Sequence, residues 1–145
     1  MFFSNNSIPI FRYAEVLLNY AEAQNEAKQG PDDSVHDAIN AVRDRAGLPD
    51  LPEDLDYTGM KQRIIQERKV ELAFEGHRFW DVRRWKKGAE FFKNVDVADF
   101  KLNGNGNLIL NRVTKTRQWN EKYNLYPIPQ SEIQKNGNLK QNPNW

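Results

Sequence analysis

Between Phe11 and Gln29 the apolar positions keep helical time: Ala14, Leu17, Leu18 and Ala21 follow the i, i+3, i+4, i+7 rhythm, and Tyr13, Tyr20 and Ala27 widen the stripe. Gly30 is a natural C-cap and Pro31 stops propagation. Asp32, Asp33 or Ser34 can cap a second helix over 34–46, whose stripe is Val35, Ala38, Ile39, Val42 and Ala46; Gly47 and Pro49 end it. The small residues Ala14, Ala21, Ala38 and Ala46 allow two antiparallel helices to approach closely. The short connection makes the pair an αα-hairpin.

The hairpin's length, with Leu17-x-x-Tyr20 followed by alanines, resembles one tetratricopeptide-type unit of about 34 residues. One such unit cannot bury its outer faces alone, so it needs neighbours.

A third helical pattern runs over 58–87 and carries charge inside its apolar seam. At about 100° per residue, Met60, Ile64 and Val82 share one direction, with Leu72 and Phe79 to one side. Arg68, Glu71, Glu75 and Arg78 fall on the same stripe. Burying such a column is costly unless its members are paired, so it is either a structural ion network or an active site. As a site, Glu71 and Glu75 would divide the acid and base roles of a carboxylate-dependent glycosidase, with His77 as proton carrier. That reading is the weaker one. Residues four apart on a helix set carboxylates side by side, whereas a glycosidase needs them on either side of a sugar. Arg68 and Arg78 would also hold both carboxylates ionised. The sequence therefore predicts a largely buried structural network of Arg68, Glu71, Glu75 and Arg78, and no catalytic residue.

Elsewhere the signals are local. Gly76 is a possible kink, costing about 1 kcal/mol relative to alanine, and Gly88 is a natural stop. Phe91, Phe92, Val95, Val97 and Phe100 form a second apolar cluster. The run Asn103-Gly104-Asn105-Gly106-Asn107 is turn chemistry, a hairpin or surface loop. It is not a phosphate loop, since no Lys-Ser/Thr follows it. Tyr123-Asn124-Leu125-Tyr126-Pro127-Ile128-Pro129 reads as an extended segment laid over the helices, because its prolines fix φ. Ser131 can cap a short helical turn through Glu132, Ile133 and Gln134, and the terminal Trp145 predicts a docked end.

Composition removes several function classes. The 145 residues have the length of one domain, and 21 Lys plus Arg against 20 Asp plus Glu leave no basic excess for general nucleic-acid binding. The basic run Arg83–Lys87 sits at a helix end, where it complements the dipole. There is no cysteine, and the lone His36 and His77 stand far apart, so no metal-ligand spacing exists. No cofactor loop is present, and no apolar run approaches the roughly 18 residues of a membrane span. Met1–Ser7 has no signal-peptide character. Phe2, Phe3, Ile8 and Pro9 lead straight into a helix, like the middle of a domain.

Four ordered motifs resemble one family. They are Arg12-Tyr13-Ala14-Glu15-Val16-Leu17-Leu18-Asn19-Tyr20-Ala21-Glu22-Ala23; Ile39-Asn40-Ala41-Val42-Arg43-Asp44-Arg45-Ala46-Gly47-Leu48-Pro49; Glu67-Arg68 through Glu71-Leu72-Ala73-Phe74-Glu75-Gly76-His77-Arg78 with Asp81-Val82-Arg83-Arg84-Trp85; and Tyr126-Pro127-Ile128-Pro129 with Gln141-Asn142-Pro143. Together they resemble the SusD/RagB group of outer-membrane nutrient-binding lipoproteins, over nearly the whole chain apart from about 94–118. Asn136-Gly137-Asn138-Leu139 departs from the pattern, standing where the family tends to have Asn-Pro.

The resemblance implies a mainly α fold: a tetratricopeptide-like helical hairpin plus a long charged helix, a small hairpin or loop insert, and an extended C-terminal segment. Residues 1–145 would form the C-terminal region of a protein several times longer, its N-terminal part and lipidation cysteine lying upstream. Such proteins cover a TonB-dependent outer-membrane transporter at the external face of the cell and hand it an oligosaccharide or peptide unchanged. The chain would then be mostly scaffold, with no cofactor, no metal and no enzymatic activity. Tyr57, Trp119 and Tyr123 are candidate aromatics for a sugar face, although core or hairpin packing is the commoner role of such residues. The alternative class is a stand-alone helical-repeat module that binds a protein partner.

Overall fold

The computed structural model describes residues 10–145, so Phe2, Phe3, Ile8 and Pro9 lie outside the described residues. The chain forms two compact units, one ending at Arg78 and one spanning Phe79–Trp145.

The first unit is helical. Helix α1 spans Tyr13–Lys28, α2 spans Asp33–Arg45 and α3 spans Tyr57–Glu71. Asp32 caps α2 by accepting from the Val35 amide, and Asp56 caps α3 by accepting from the Gly59 amide at 2.7 Å. Gly47 ends α2 at φ 69°, with its own amide on Asp44 O and the Leu48 amide on Arg43 O. The end of α1 differs from expectation. Gln29, not Gly30, takes the left-handed conformation (φ 54°), and its side chain donates to Glu26 O while the Gly30 amide reaches Asn25 O. A glutamine that satisfies an orphaned helix carbonyl offsets part of the steric cost that glycine would avoid.

The centres of the predicted stripes pack into two clusters, while Tyr13, Tyr20, Ala27 and Ala46 at their margins are exposed. Ala21 of α1, Val35, Ala38 and Ile39 of α2, and Met60 and Ile64 of α3 pack together with Leu51 from the connection between α2 and α3. Leu18, Val42 and Leu72 form a second cluster beside Ala14 and Leu17. Alanine at 14, 21 and 38 is what allows the helices this approach.

The charged pattern of 58–87 is helical at both ends but not continuous. Helix α3 stops at Glu71, and helix α4 runs over His77–Arg84. Between them Leu72 turns inward and is 2% exposed, Phe74 is left-handed at φ 66° and fully exposed, and Gly76 is left-handed at φ 84°. Two left-handed residues cannot continue an α-helix, so the kink expected at Gly76 is a break. A further left-handed residue, Lys86 (φ 55°), closes α4, with the Lys87 amide on Val82 O. Gly88 is thus not the stop; it opens α5, Gly88–Phe91.

The rest of the second unit is an antiparallel ribbon and a clamped tail. Strand β1, Asn94–Leu102, pairs with β2, Leu108–Thr116, in a register running from Asn94↔Thr116 to Leu102↔Leu108. The turn is built by Asn103, whose Oδ1 accepts from the Asn105 and Asn107 amides, and by Gly106 at φ 78°. A 3-10 turn at Glu121–Asn124 follows, and a short helix α6 spans Gln130–Lys135. Its N-cap is Pro129, not Ser131, and no side chain caps it: the Glu132 and Ile133 amides bond Pro129 O directly. Gln141 accepts from the Ile128 amide and donates to Ile128 O, acting as a strand partner for the extended Pro-Ile-Pro stretch. Asn142 donates to Tyr126 O, and Trp145 Nε1 donates to Lys122 O and Leu125 O. The end is docked, as its composition predicts. In the Asn136-Gly137-Asn138 turn, Asn136 Oδ1 accepts from the Asn138 amide.

Candidate functional site

Two of the three candidate aromatics meet in the second unit. Phe92, Trp119, Tyr123 and Trp145 form a chain of rings with successive centroids 5.6, 5.7 and 6.1 Å apart. Trp119 lies over Gly88, where the backbone has no side chain to displace it. Arg83 of α4 anchors the cluster. Its guanidinium stacks 3.6 Å from the Phe79 centroid and 5.3 Å from that of Tyr126, and its Nε donates to Tyr123 O at 2.8 Å. Trp119 is thereby committed mainly to packing, whereas Tyr123, Trp145 and Tyr126 keep exposed faces.

Beside this cluster runs an open, mainly apolar groove of about 700 Å³. Trp80 (57% exposed), Leu125 and Pro143 supply its walls; Arg84, Lys86 and Lys122 supply charge. Trp80 is fixed by edge contact with Phe79 (5.2 Å) and by Tyr126 (5.8 Å). Sequence reasoning did not single out Trp80, Lys86 or Lys122. The available signal was the pairing of an aromatic-rich helix, Phe79-Trp80-Asp81-Val82-Arg83-Arg84-Trp85, with the rigid Tyr-Pro-Ile-Pro segment.

Tyr57 serves a different end. It lies in the helical unit at the start of α3, and its hydroxyl donates to Glu26 Oε2 at 2.6 Å while accepting from Lys61 Nζ. Lys61 also pairs with Glu26 at 2.6 Å. Lys61 foremost, then Tyr57, holds the Glu26 carboxyl below the usual carboxylate range. The Tyr57 hydroxyl is thereby tied into a polar bridge between α1 and α3.

Three charged residues of the 68–78 pattern, Arg68, Glu71 and Glu75, are held by partners outside α3. Arg68 is 4% exposed and reaches Asn19 Oδ1 at 2.5 Å and Glu22 at 3.8 Å on α1. Glu71 and Glu75 share Arg12, which sits one residue before α1: Nη1 reaches Glu71 and Nη2 reaches Glu75, each at 2.7 Å. Arg12 Nη2 also donates to Glu71 O. Arg45 of α2 adds a second cation to Glu71 at 2.7 Å. The Glu71 side chain is 10% exposed and that of Glu75 is 30% exposed. Arg12 keeps the Glu75 carboxyl below its ordinary range, principally through their hydrogen bonds. Arg78 follows the break and is half-buried. A carboxylate held ionised by a guanidinium is poorly suited to act as a general acid. Periodicity along 58–87 carries no signal for Arg12, which lies outside that pattern.

Among the described residues no helix is long and apolar enough to cross a membrane.

Comparison with known proteins gives one consistent answer. The model of the SusD family matches residues 3–145. SusD-like protein P2 of Formosa agariphila is 38% identical over 96% of this chain and 26% of its own length. The starch-binding protein SusD of Bacteroides thetaiotaomicron is 32% identical over 99% of this chain and 22% of its own. A crystal structure of a SusD-like protein from Bacteroides fragilis superposes with a TM-score of 0.78 at 39% identity, over 94% of this chain and 25% of that one. The chain thus spans about a quarter of the length of the curated relatives it matches. With a family match over nearly all its residues and a helical hairpin packed as the motifs predict, the chain belongs to the SusD family.

Proposed function

We propose that this chain is the C-terminal region of a protein that captures a glycan or peptide nutrient at the outer-membrane surface and delivers it, unaltered, to a TonB-dependent transporter. Family membership over residues 3–145 carries the reading. The name of the Bacteroides thetaiotaomicron relative, a starch-binding protein, favours a glycan. The helical unit supplies scaffold: its distinctive residues are packed alanines and the ion cluster of Arg12, Arg45, Glu71 and Glu75, and Arg68 with its α1 partners, which we assign to stability. Lipid anchorage at the external face of the outer membrane belongs to the same proposal.

Calorimetry with neutral and acidic oligosaccharides and with oligopeptides tests the reading, with chromatography of the recovered ligand. The expected result is weak or undetectable glycan or peptide binding by this chain alone, with every ligand returned intact. Turnover that disappears in Glu71→Gln or Glu75→Gln would overturn it in favour of a carboxylate enzyme. A TonB-dependent receptor gene directly adjacent to this one is the expected genomic setting for the transporter partnership.

A further inference from the structure

The groove walled by Trp80 carries a charge imbalance that the scaffold role does not explain. Four cations, Arg83, Arg84, Lys86 and Lys122, line it against one carboxylate, Glu121. Two of the four are already engaged: Arg83 stacks under the aromatics and donates to Tyr123 O, and Arg84 pairs with Asp81 at 2.9 Å. Glu121 accepts from Asn124 Nδ2 at 2.6 Å. Lys86 and Lys122 have no carboxylate partner among the described residues. Lys122 rests its ammonium 4.3 Å from the Trp145 ring centroid, which holds the charge in place without neutralising it.

Lys86 is the more informative of the two. It occupies the left-handed position that ends α4, at φ 55°, where glycine is the least strained residue. A lysine in that place works against local stability and brings a cation to the rim of the groove. Backbone strain at the edge of a cavity is a mark of function only beside other signs, and here the exposed Trp80 face and the unpaired Lys122 are those signs.

We propose that this groove is a subsite for an anionic sugar unit, its ring lying against Trp80 and Leu125 and its carboxylate or sulfate facing Lys86 and Lys122. The inference rests on the glycan-capture reading and narrows its ligand class. The carbon–hydrogen face of a sugar ring is apolar and suits an exposed indole, while an acidic substituent is drawn to cations that have no carboxylate partner. An acidic peptide would share the charge but not the frame. The groove is lined by α4, the 3-10 turn and the tail, with no strand edge for an extended backbone to join.

Titrations of the full chain, read by tryptophan fluorescence and calorimetry, use matched ligands: oligogalacturonate beside its methyl ester, a sulfated galactan oligosaccharide beside its desulfated form, and hexaglutamate. The expected result is that at least one anionic sugar binds about tenfold more tightly than its neutral counterpart and weakens as salt rises. The two anionic arms identify carboxylate or sulfate as the preferred group. Lys86→Gly, which relieves backbone strain, and Lys122→Met should each weaken that binding about fivefold with unchanged circular dichroism. Trp80→Ala should weaken neutral and anionic sugars alike. Equal binding of the neutral partners, unaltered affinity in both lysine variants, binding by hexaglutamate alone, or no binding of either anionic sugar would each overturn the subsite. The broader capture reading is overturned separately, by turnover of a ligand, and survives the loss of this subsite.

Discussion

Gly88 lies so close beneath the indole of Trp119 that a Cβ built on it would stand 2.0 Å from Cε2 and Cζ2 of the ring. The obstacle is a rigid aromatic face flanked by Phe92 and Tyr123, so it cannot swing aside as a flexible side chain could. The glycine is selected for close approach, since its φ is not in the left-handed region.

Gly88→Ala should therefore displace Trp119 and loosen the ring chain as far as Trp145. The expected cost is about 2 kcal/mol, in the range of other overpacking substitutions. Urea unfolding followed by tryptophan fluorescence would show it as a lower midpoint, with a red-shifted native spectrum. A variant that unfolds like the parent with the same emission would show that the contact relaxes freely.

The ion cluster of the helical unit gives a second expectation. Arg12 is the shared cation of Glu71 and Glu75, so Arg12→Met leaves Glu71 at 10% exposure with only the peripheral Arg45. We expect a loss of about 2 kcal/mol, below the 3–5 kcal/mol typical of a fully buried broken pair because Arg12 is itself 28% exposed. Arg45→Met, at a side chain 63% exposed, should cost about 0.5 kcal/mol. Equal effects at the two positions would refute the assignment of Arg12 as the central cation.

These two cases mark what the sequence could and could not reveal. The 3.6-residue stripes named Leu18, Ala21, Val35, Ala38, Ile39, Val42, Met60, Ile64, Leu72 and Val82, which are buried, but also Tyr13, Tyr20, Ala27, Ala46 and Phe79, which are exposed. Asp32 as a cap and Gly47 as a stop were equally legible, because both act through bonds to near neighbours. The break after Glu71 was not. Nothing in Leu72-Ala73-Phe74-Glu75 forbids a helix; the turn follows from Leu72 seeking Leu18 and Val42, a tertiary preference that overrides local propensity. The partners of the charged column were hidden for the same reason, since Arg12 and Arg45 reach Glu71 across 59 and 26 residues of sequence. Trp119 and Tyr123 could be singled out as aromatics, but the groove beside them depends on the fold of the tail.

Phe74 offers a test with the opposite sign. It is left-handed at φ 66° with its ring wholly in water, so in this chain it gains nothing that offsets the strain. Phe74→Gly should raise stability by about 1 kcal/mol if the relief of steric strain outweighs the added freedom of the unfolded chain. Thermal melts of the two proteins decide it, and a lower midpoint in the variant would mean that the ring has a partner in the folded chain.

Removing 126–145 tests the clamped tail. The deletion takes away Trp145 from Tyr123, Tyr126 from Trp80 and the Gln141 bonds to Ile128. Exposure of those rings should promote association, visible as larger particles in light scattering and as dye binding to apolar surface. A truncated chain that stays monomeric would count against a structural role for the tail.

Acid should destabilise the helical unit through Glu75 and Glu26. Both carboxyls sit below the ordinary glutamate value in the folded chain, Glu75 because of Arg12 and Glu26 chiefly because of Lys61. The unfolded chain takes up these protons first, near pH 4.3, so the stabilisation is complete above that value and is lost as pH falls through it towards the lower folded values. Arg12 is raised by the same pairing, chiefly by Glu75, but arginine stays charged at every working pH and adds no alkaline limb. Urea midpoints measured between pH 7 and pH 3 should fall on the acid side for the parent. They should fall less steeply for Arg12→Met, which has already lost the Glu75 pairing, and for Lys61→Met, which has lost that of Glu26. Parallel acid slopes in all three proteins would place the titrating groups elsewhere, with Asp32, held low first by Lys28, as the next carboxylate to replace.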